Sequence, residues 1–467
     1  MKAIHYLNRL ASLFTLVVLG AFISACSDDD PPLPDNLAAF ESTELGMTYS
    51  ETELEIKIQL SRAVDENATL SVLFTTEGVE YGTDFATEPA ATGGTLSLTI
   101  EKGEEEASFK IIKASGLLLD GDEKITFTIS EATEPVLVGE QKELVLSFAE
   151  ILSAGALMEI NGGGATYSNK VFIDLSANRQ TAVLRTAWDL GFHMGEDFRV
   201  IVNSSTAMMA RALDKTDLNA VTANDTVGFK NEMSLSAFNP DATAWIDDPT
   251  GDLTKTAIAA ISATTSENKV YIINRGNGVG SPAPARGWKK IRIVRNASGG
   301  YTLQHADIAA TSFSEIQIAK DDAYRFKYIH FENGAVDVEP AKDRWDIAWT
   351  YFTNTLNSGG SVIPYGYQDM ILQNLHGVQT AKVLTSTKSY DSFAESDIAS
   401  LTFSSSQIGI GSDWRRTSPS PAIVYDDRFY VIKDAGDNYY KARFTAILKD
   451  GVRGTPQFEF LLIKKGS

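Results

Sequence analysis

The chain has one cysteine, Cys26, among 467 residues. A single thiol excludes an internal disulfide, a zinc site built on paired cysteines and an iron–sulfur cluster. Basic residues are also scarce: 41 Lys and Arg stand against 61 Asp and Glu, for a formal charge of −20. Nucleic-acid binders need a basic stripe to displace counterions, so no nucleic-acid partner is expected. Long apolar runs are missing too. The longest, residues 10–23, has 14 residues, whereas a membrane-spanning helix needs roughly 20. No helical stripe of sustained 3.6-residue period occurs; only the stretch from Ala207 to Leu213 reads as a short helical turn. The sequence contains no Gly-x-Ser-x-Gly elbow, P-loop, dinucleotide fingerprint or His-Glu-x-x-His motif, so it does not read as an enzyme. What is present is 43% hydrophobic residues, enough for a globular chain of two to four domains at roughly 100–200 residues each.

Lys2 and Arg9 flank the start of the apolar run, which ends at Ser24-Ala25-Cys26. A charged start, a short apolar stretch and small residues before a cut site describe a secretory signal peptide over residues 1–25. Ile23-Ser24-Ala25-Cys26 also resembles the bacterial lipobox, which implies acylation of Cys26 and an outer-membrane lipid anchor. Ser27-Asp28-Asp29-Asp30 resembles the acidic export tag of Bacteroides-type surface lipoproteins, which implies display at the cell surface. Residues 26–37, with Pro31, Pro32 and Pro34, read as a stiff tether.

Over residues 38–150 the pattern is strand after strand. Leu54, Ile56, Ile58 and Leu60 alternate with Glu55, Lys57 and Gln59, and Leu96, Leu98 and Ile100 repeat the period of two. Six or seven short strands in about 110 residues predict an antiparallel β-sandwich. Tyr81-Gly82-Thr83-Asp84-Phe85, residues 96–100 and residues 121–127 resemble the Calx-beta family of sandwiches, whose members can bind calcium through acidic loops. Asp84, Asp120, Asp122 and Glu123 are the oxygen ligands this would use. Without EF-hand-like spacing they read first as solvated turn residues, and no calcium is expected.

Residues 155–466 carry longer strands, more aromatics and an internal echo. Trp188-Asp189-Leu190 returns as Trp345-Asp346-Ile347. Residues 169–173 resemble 268–272, and the hairpin pattern of 291–301 resembles 429–439. A duplicated half-domain with a divide near residue 310 accounts for this, giving halves 155–310 and 311–466. The fold class is therefore all-β throughout.

The same region resembles the HmuY-like family of outer-membrane lipoproteins. The carriers are Trp188-Asp189-Leu190, residues 286–292 beginning Arg286-Gly287-Trp288, Trp345-Asp346-Ile347-Ala348, and residues 364–369. Residues 410–415, 438–445 and 453–458 complete the series. The resemblance implies haem capture at the cell surface, iron held between two His or two Met, and delivery to an outer-membrane receptor. A ferric iron suits imidazole and a ferrous one suits Met. The stretch 402–431, where the family's second axial residue would fall, holds no His or Met, so no axial residue carries over by position. On chemistry the candidates are His376, Met370 and His193. His193 and Met194 are neighbours on one strand and point to opposite faces, so they cannot share an iron. His305, His330 and the Met208-Met209 pair read as packing residues. The alternative is a surface lipoprotein that binds a protein or glycan instead of haem.

Overall fold

The computed structural model describes residues 34–47, 51–114, 123–148 and 152–466. Cys26 and the calcium candidates Asp120 and Asp122 lie outside the described residues. The chain divides into two compact units, Met1–Ala149 and Glu150–Ser467.

In the first unit the period-two pattern becomes ten strands: β1 (Asn36–Phe40), β2 (Glu44–Gly46), β3 (Glu53–Leu60), β4 (Ala68–Glu77), β5 (Phe85–Glu88), β6 (Thr95–Ile100), β7 (Glu106–Lys113), β8 (Lys124–Ala132), β9 (Val136–Val138) and β10 (Glu143–Ser147). They form two five-stranded sheets, β5-β7-β3-β1-β9 and β2-β10-β8-β4-β6. Pairing is antiparallel except for β1–β9 and β2–β10. Leu54, Ile56, Ile58 and Leu60 all point inward, while Glu53 and Glu55 face solvent. The two inner faces meet through rings such as Phe109 and Phe127, 5.1 Å apart, as sheet-on-sheet packing requires.

The second unit has twenty strands: β11 (Gly155–Glu159), β12 (Asn169–Asp174), β13 (Arg179–Leu184), β14 (Leu190–His193), β15 (Val200–Val202), β16 (Met209–Ala212), β17 (Val270–Asn274), β18 (Trp288–Arg295), β19 (Tyr301–Asp307), β20 (Ser314–Ile318), β21 (Phe326–His330), β22 (Gly334–Val336), β23 (Ile347–Ser358), β24 (Ser361–Gln373), β25 (Gln379–Leu384), β26 (Arg415–Arg416), β27 (Ile423–Val424), β28 (Arg428–Lys433), β29 (Tyr439–Lys449) and β30 (Val452–Lys464). The stretch 207–213 that reads as a helical turn contains β16 instead. Its four residues pair with β17, and this ladder overrides a weak local preference.

The sheets come in matched pairs. The order β16-β17-β18-β19-β20 is repeated by β25-β28-β29-β30-β11, and β15-β14-β21-β22 is repeated by β24-β23-β12-β13. The repeats are crossed. Strands β11 to β13, from the first repeat, pair into sheets with β23 to β30, and β20 to β22, from the second, pair with β14 to β19. Residues 190–336 therefore fill one pair of sheets, and the segments on either side of them fill the other. The hydrophobic cores divide the same way: one runs from Leu190 to Phe331, the other joins Met158–Leu175 to residues 347–460.

Two Trp-Asp blocks lead into equivalent strands at the crossings. The Asp189 amide donates to Ile329 O at 2.8 Å, and Asp346 donates to Ile173 O at 2.7 Å. Each carboxylate accepts a backbone amide one residue past the partner strand, Phe331 N for Asp189 and Leu175 N for Asp346. Asn203 Nδ2 donates to Arg185 O and Trp188 O, while Asn374 Nδ2 donates to Lys342 O and Trp345 O. Each of these buried polar groups has at least one hydrogen-bond partner, as burial demands. The other two echoes fall on strands that are not equivalent: residues 169–173 are β12, whose counterpart is β21, not β17. The hairpin β18–β19 is likewise matched with β28–β29, whereas its structural partner is β29–β30.

Candidate functional site: a cleft at the seam of the repeats

The indole side chains of both Trp-Asp blocks line one cleft. Trp188 packs edge-on against Tyr328 at 4.8 Å, and Trp345 packs edge-on against Phe172 at 5.1 Å. Such pairs add about 0.5–1.5 kcal/mol each beyond simple burial. The cleft beside them is narrow and partly enclosed, about 70 Å³ in volume. Its walls include repeat-equivalent pairs: Trp188 with Trp345, Ile201 with Leu372, and Val202 with Gln373. One further wall is the loop from Asp247 to Thr256.

The cleft has a charged, buried end. Lys170 and Glu339 are each 8% exposed, and Trp188 is 2% exposed. Tyr328 Oη donates to Glu339 Oε2 at 2.5 Å. Burial pushes the Glu339 carboxyl up, against the opposing pull of Tyr328, Lys170 and Arg325. The same burial pushes the Lys170 ammonium down, against the attraction of Glu339. Arg325 Nη1 donates to Leu375 O at 3.2 Å. Arg325 Nε and Trp188 Nε1 are buried and have no hydrogen-bond partner among the described residues. Asp247 is occupied differently: its oxygens accept Val202 N at 2.7 Å and Ala257 N at 2.9 Å, and loss of water around the carboxyl raises it to about 7.

Of the residues nominated from sequence, none lines this cleft. Met370 is fully buried in β24 among Phe352, Leu372 and Ile408. His193 ends β14, with its Nδ1 3.1 Å from Asp197 O and its ring 5.5 Å from that of Phe326, a lining residue. His376 is exposed and follows the lining residue Leu375. Burial lowers both imidazoles, and Arg325 lowers both further, so the two histidines share one cationic neighbour. In the sandwich, Asp84 accepts the Glu80 amide at 2.8 Å in its own turn. Glu123 is buried against Gly78, where a Cβ would lie 2.7 Å from Glu123 Cγ. Neither belongs to a metal-sized group among the described residues.

The metal-sized group that does occur there, Asp189, His330 and Glu332, is already filled by cations. Arg275 reaches both Asp189 oxygens at 2.9 Å, Arg286 reaches Asp189 at 2.9 Å, and Arg275 and Lys289 hold Glu332. Sequence reading singled out Trp188 and Trp345 through their echo. It gave no sign of Lys170, Arg325 or Glu339: Lys170 stands more than a hundred residues before the other two, and Arg325 and Glu339 sit on either side of the β21–β22 hairpin.

The fold is all-β, and its second unit carries an aromatic-lined cleft of the kind that ligands occupy. The HmuY protein family matches residues 166–315 and 322–460, more than half of the chain, and this chain belongs to that family. No curated protein matches it. Similar solved structures include the apo-form Calx CBD1 domain, at 16% identity over 25% of this chain and 97% of that one, with a TM-score of 0.22. Another is the calcium binding domain CBD12 of CALX1.1, at 13% identity over 32% and 70%, with a TM-score of 0.21. A two-domain protein of unknown function from Bacteroides fragilis NCTC 9343 is similar at 11% identity over 38% and 74%, with a TM-score of 0.19.

Proposed function

We propose that the protein is a lipid-anchored, surface-displayed binding protein that takes a planar tetrapyrrole of the haem class into the seam cleft. The observation that carries the reading is the pairing of Trp188 with Trp345 across a pseudo-twofold cleft in a chain of the HmuY family. A flat macrocycle with two similar halves suits walls that repeat across an axis. The aromatic and aliphatic walls match the apolar faces of such a ring, and the cleft has to widen to admit the whole macrocycle. The lining offers no His, Met or Cys to an iron, and the one Tyr, Tyr328, has its hydroxyl engaged by Glu339. Axial donors would have to come from the rim.

His193 and His376 are the rim candidates. Thr350 is the repeat-equivalent of His193, and Ser205 that of His376. Ser205 Oγ and Thr350 Oγ1 meet at 3.0 Å, and this equivalence is what supports His193 and His376 as a pair. The rival reading, a surface protein that binds a protein or glycan, is favoured by the lack of an iron donor inside the cleft. Haemin added to the purified protein from Cys26 onward separates them. A Soret shift that His193→Ala and His376→Ala each weaken supports haem; no shift under oxidising or reducing conditions leaves the rival. Anchoring is tested apart from binding: Cys26→Ser should move the protein from the membrane to the soluble fraction, and unchanged partitioning would contradict the lipid anchor.

A further inference from the structure

The charged end of the cleft specifies more than a flat shape. Two cationic side chains, Lys170 and Arg325, face one carboxylate, Glu339, which already shares its Oε2 with the Tyr328 hydroxyl. Three donors, Arg325 Nε, Trp188 Nε1 and Trp345 Nε1, are buried with no partner among the described residues, and so is one acceptor, Glu339 Oε1. A buried donor left unpaired is destabilising, so an acceptor arriving with a guest would be favoured there. The nearby acids do not compete for these donors. Asp247 is saturated by two backbone amides. Asp248 is bound by Thr250 N at 2.8 Å, and Asp252 by Thr254 N at 2.9 Å and Lys255 at 3.0 Å. Asp248 and Asp252 line the loop wall and disfavour an anion beside them, while burial holds Asp247 partly protonated near neutral pH.

We propose that the buried end of the cleft receives the carboxylate of a flat apolar guest, held by Lys170, Arg325 and the indole N–H of Trp188. This deepens the tetrapyrrole reading and rests on the same cleft. It makes the site selective for an acid over its uncharged ester, because only the acid satisfies both cations.

The test compares metal-free protoporphyrin IX with its dimethyl ester, and 2-naphthoate with methyl 2-naphthoate, by quenching of tryptophan fluorescence in the full protein. Each acid is expected to bind roughly tenfold or more tighter than its ester, with the gap collapsing in Lys170→Met and in Arg325→Gln. Thermal melts establish that each variant is folded, and if neither folds, the wild-type acid-to-ester ratio decides alone. Porphyrin acid and ester bound equally well would overturn the inference and leave the tetrapyrrole reading standing. Naphthoate preferred over its ester, with neither porphyrin bound, would support the inference and remove the tetrapyrrole. Neither acid bound would overturn both.

Discussion

Asp189 and Asp346 hold the same place in the two repeats, yet opposite charges surround them. Asp189 meets Arg275, Arg286 and His330. The positions equivalent to Arg275 and His330 are Asp434 and Asp174, so Asp346 shares a buried spot with two more carboxylates. Arg179, 3.8 Å from Asp174, is the nearest cation on that side. Burial, then repulsion from Asp174 and Asp434, raises the Asp346 carboxyl well above its usual range. A folded-state pKa above the unfolded one means that the stability from Asp346 is complete below the ordinary carboxylate range and is lost as pH rises through the raised value. Asp346→Asn keeps an oxygen for the Leu175 amide and removes the charge. It should therefore raise the melting temperature at pH 8, with the gain shrinking toward pH 4. A gain independent of pH, or a loss at pH 8, would contradict this account.

Strands were the most legible elements of the sequence, because burial on one face writes a period of two. Leu54 to Leu60 shows it, and each apolar residue there is buried. The Trp-Asp echo was legible for a different reason: the crossing needs a buried aromatic ring and an acceptor for a backbone amide, and few residues do both jobs in sequence. The other echoes misled because alternation recurs in every strand and carries no register. The site was mostly hidden. Arg325 and Glu339 flank the β21–β22 hairpin and Lys170 joins them from the distant β12, while Met370, chosen for its sulfur, faces a core. The crossing itself makes a prediction. A fragment of residues 186–342 contains both complete sheets β14–β22, and should give a cooperative urea transition with a β-type circular dichroism spectrum. A fragment cut at the sequence repeat, 155–310, separates β12 from β23 and β14 from β21, and should not. Cooperative folding of the second and not the first would refute the crossed assignment.

At the scale of the whole molecule, an acidic all-β chain carries a cleft lined by residues of both repeats. The cleft is fixed by strands from both, so a guest lodged there touches residues from each crossing at once. Such a guest binds to the native state alone and stabilises it by mass action. The most direct measurement is an absorbance titration with haemin on the protein from Cys26 onward and on its Leu253→Trp variant, which fills the cleft from the loop wall. One equivalent bound by the wild type and none by the variant is the predicted result; no binding by the wild type, or undiminished binding by the variant, would contradict a tetrapyrrole site at the seam.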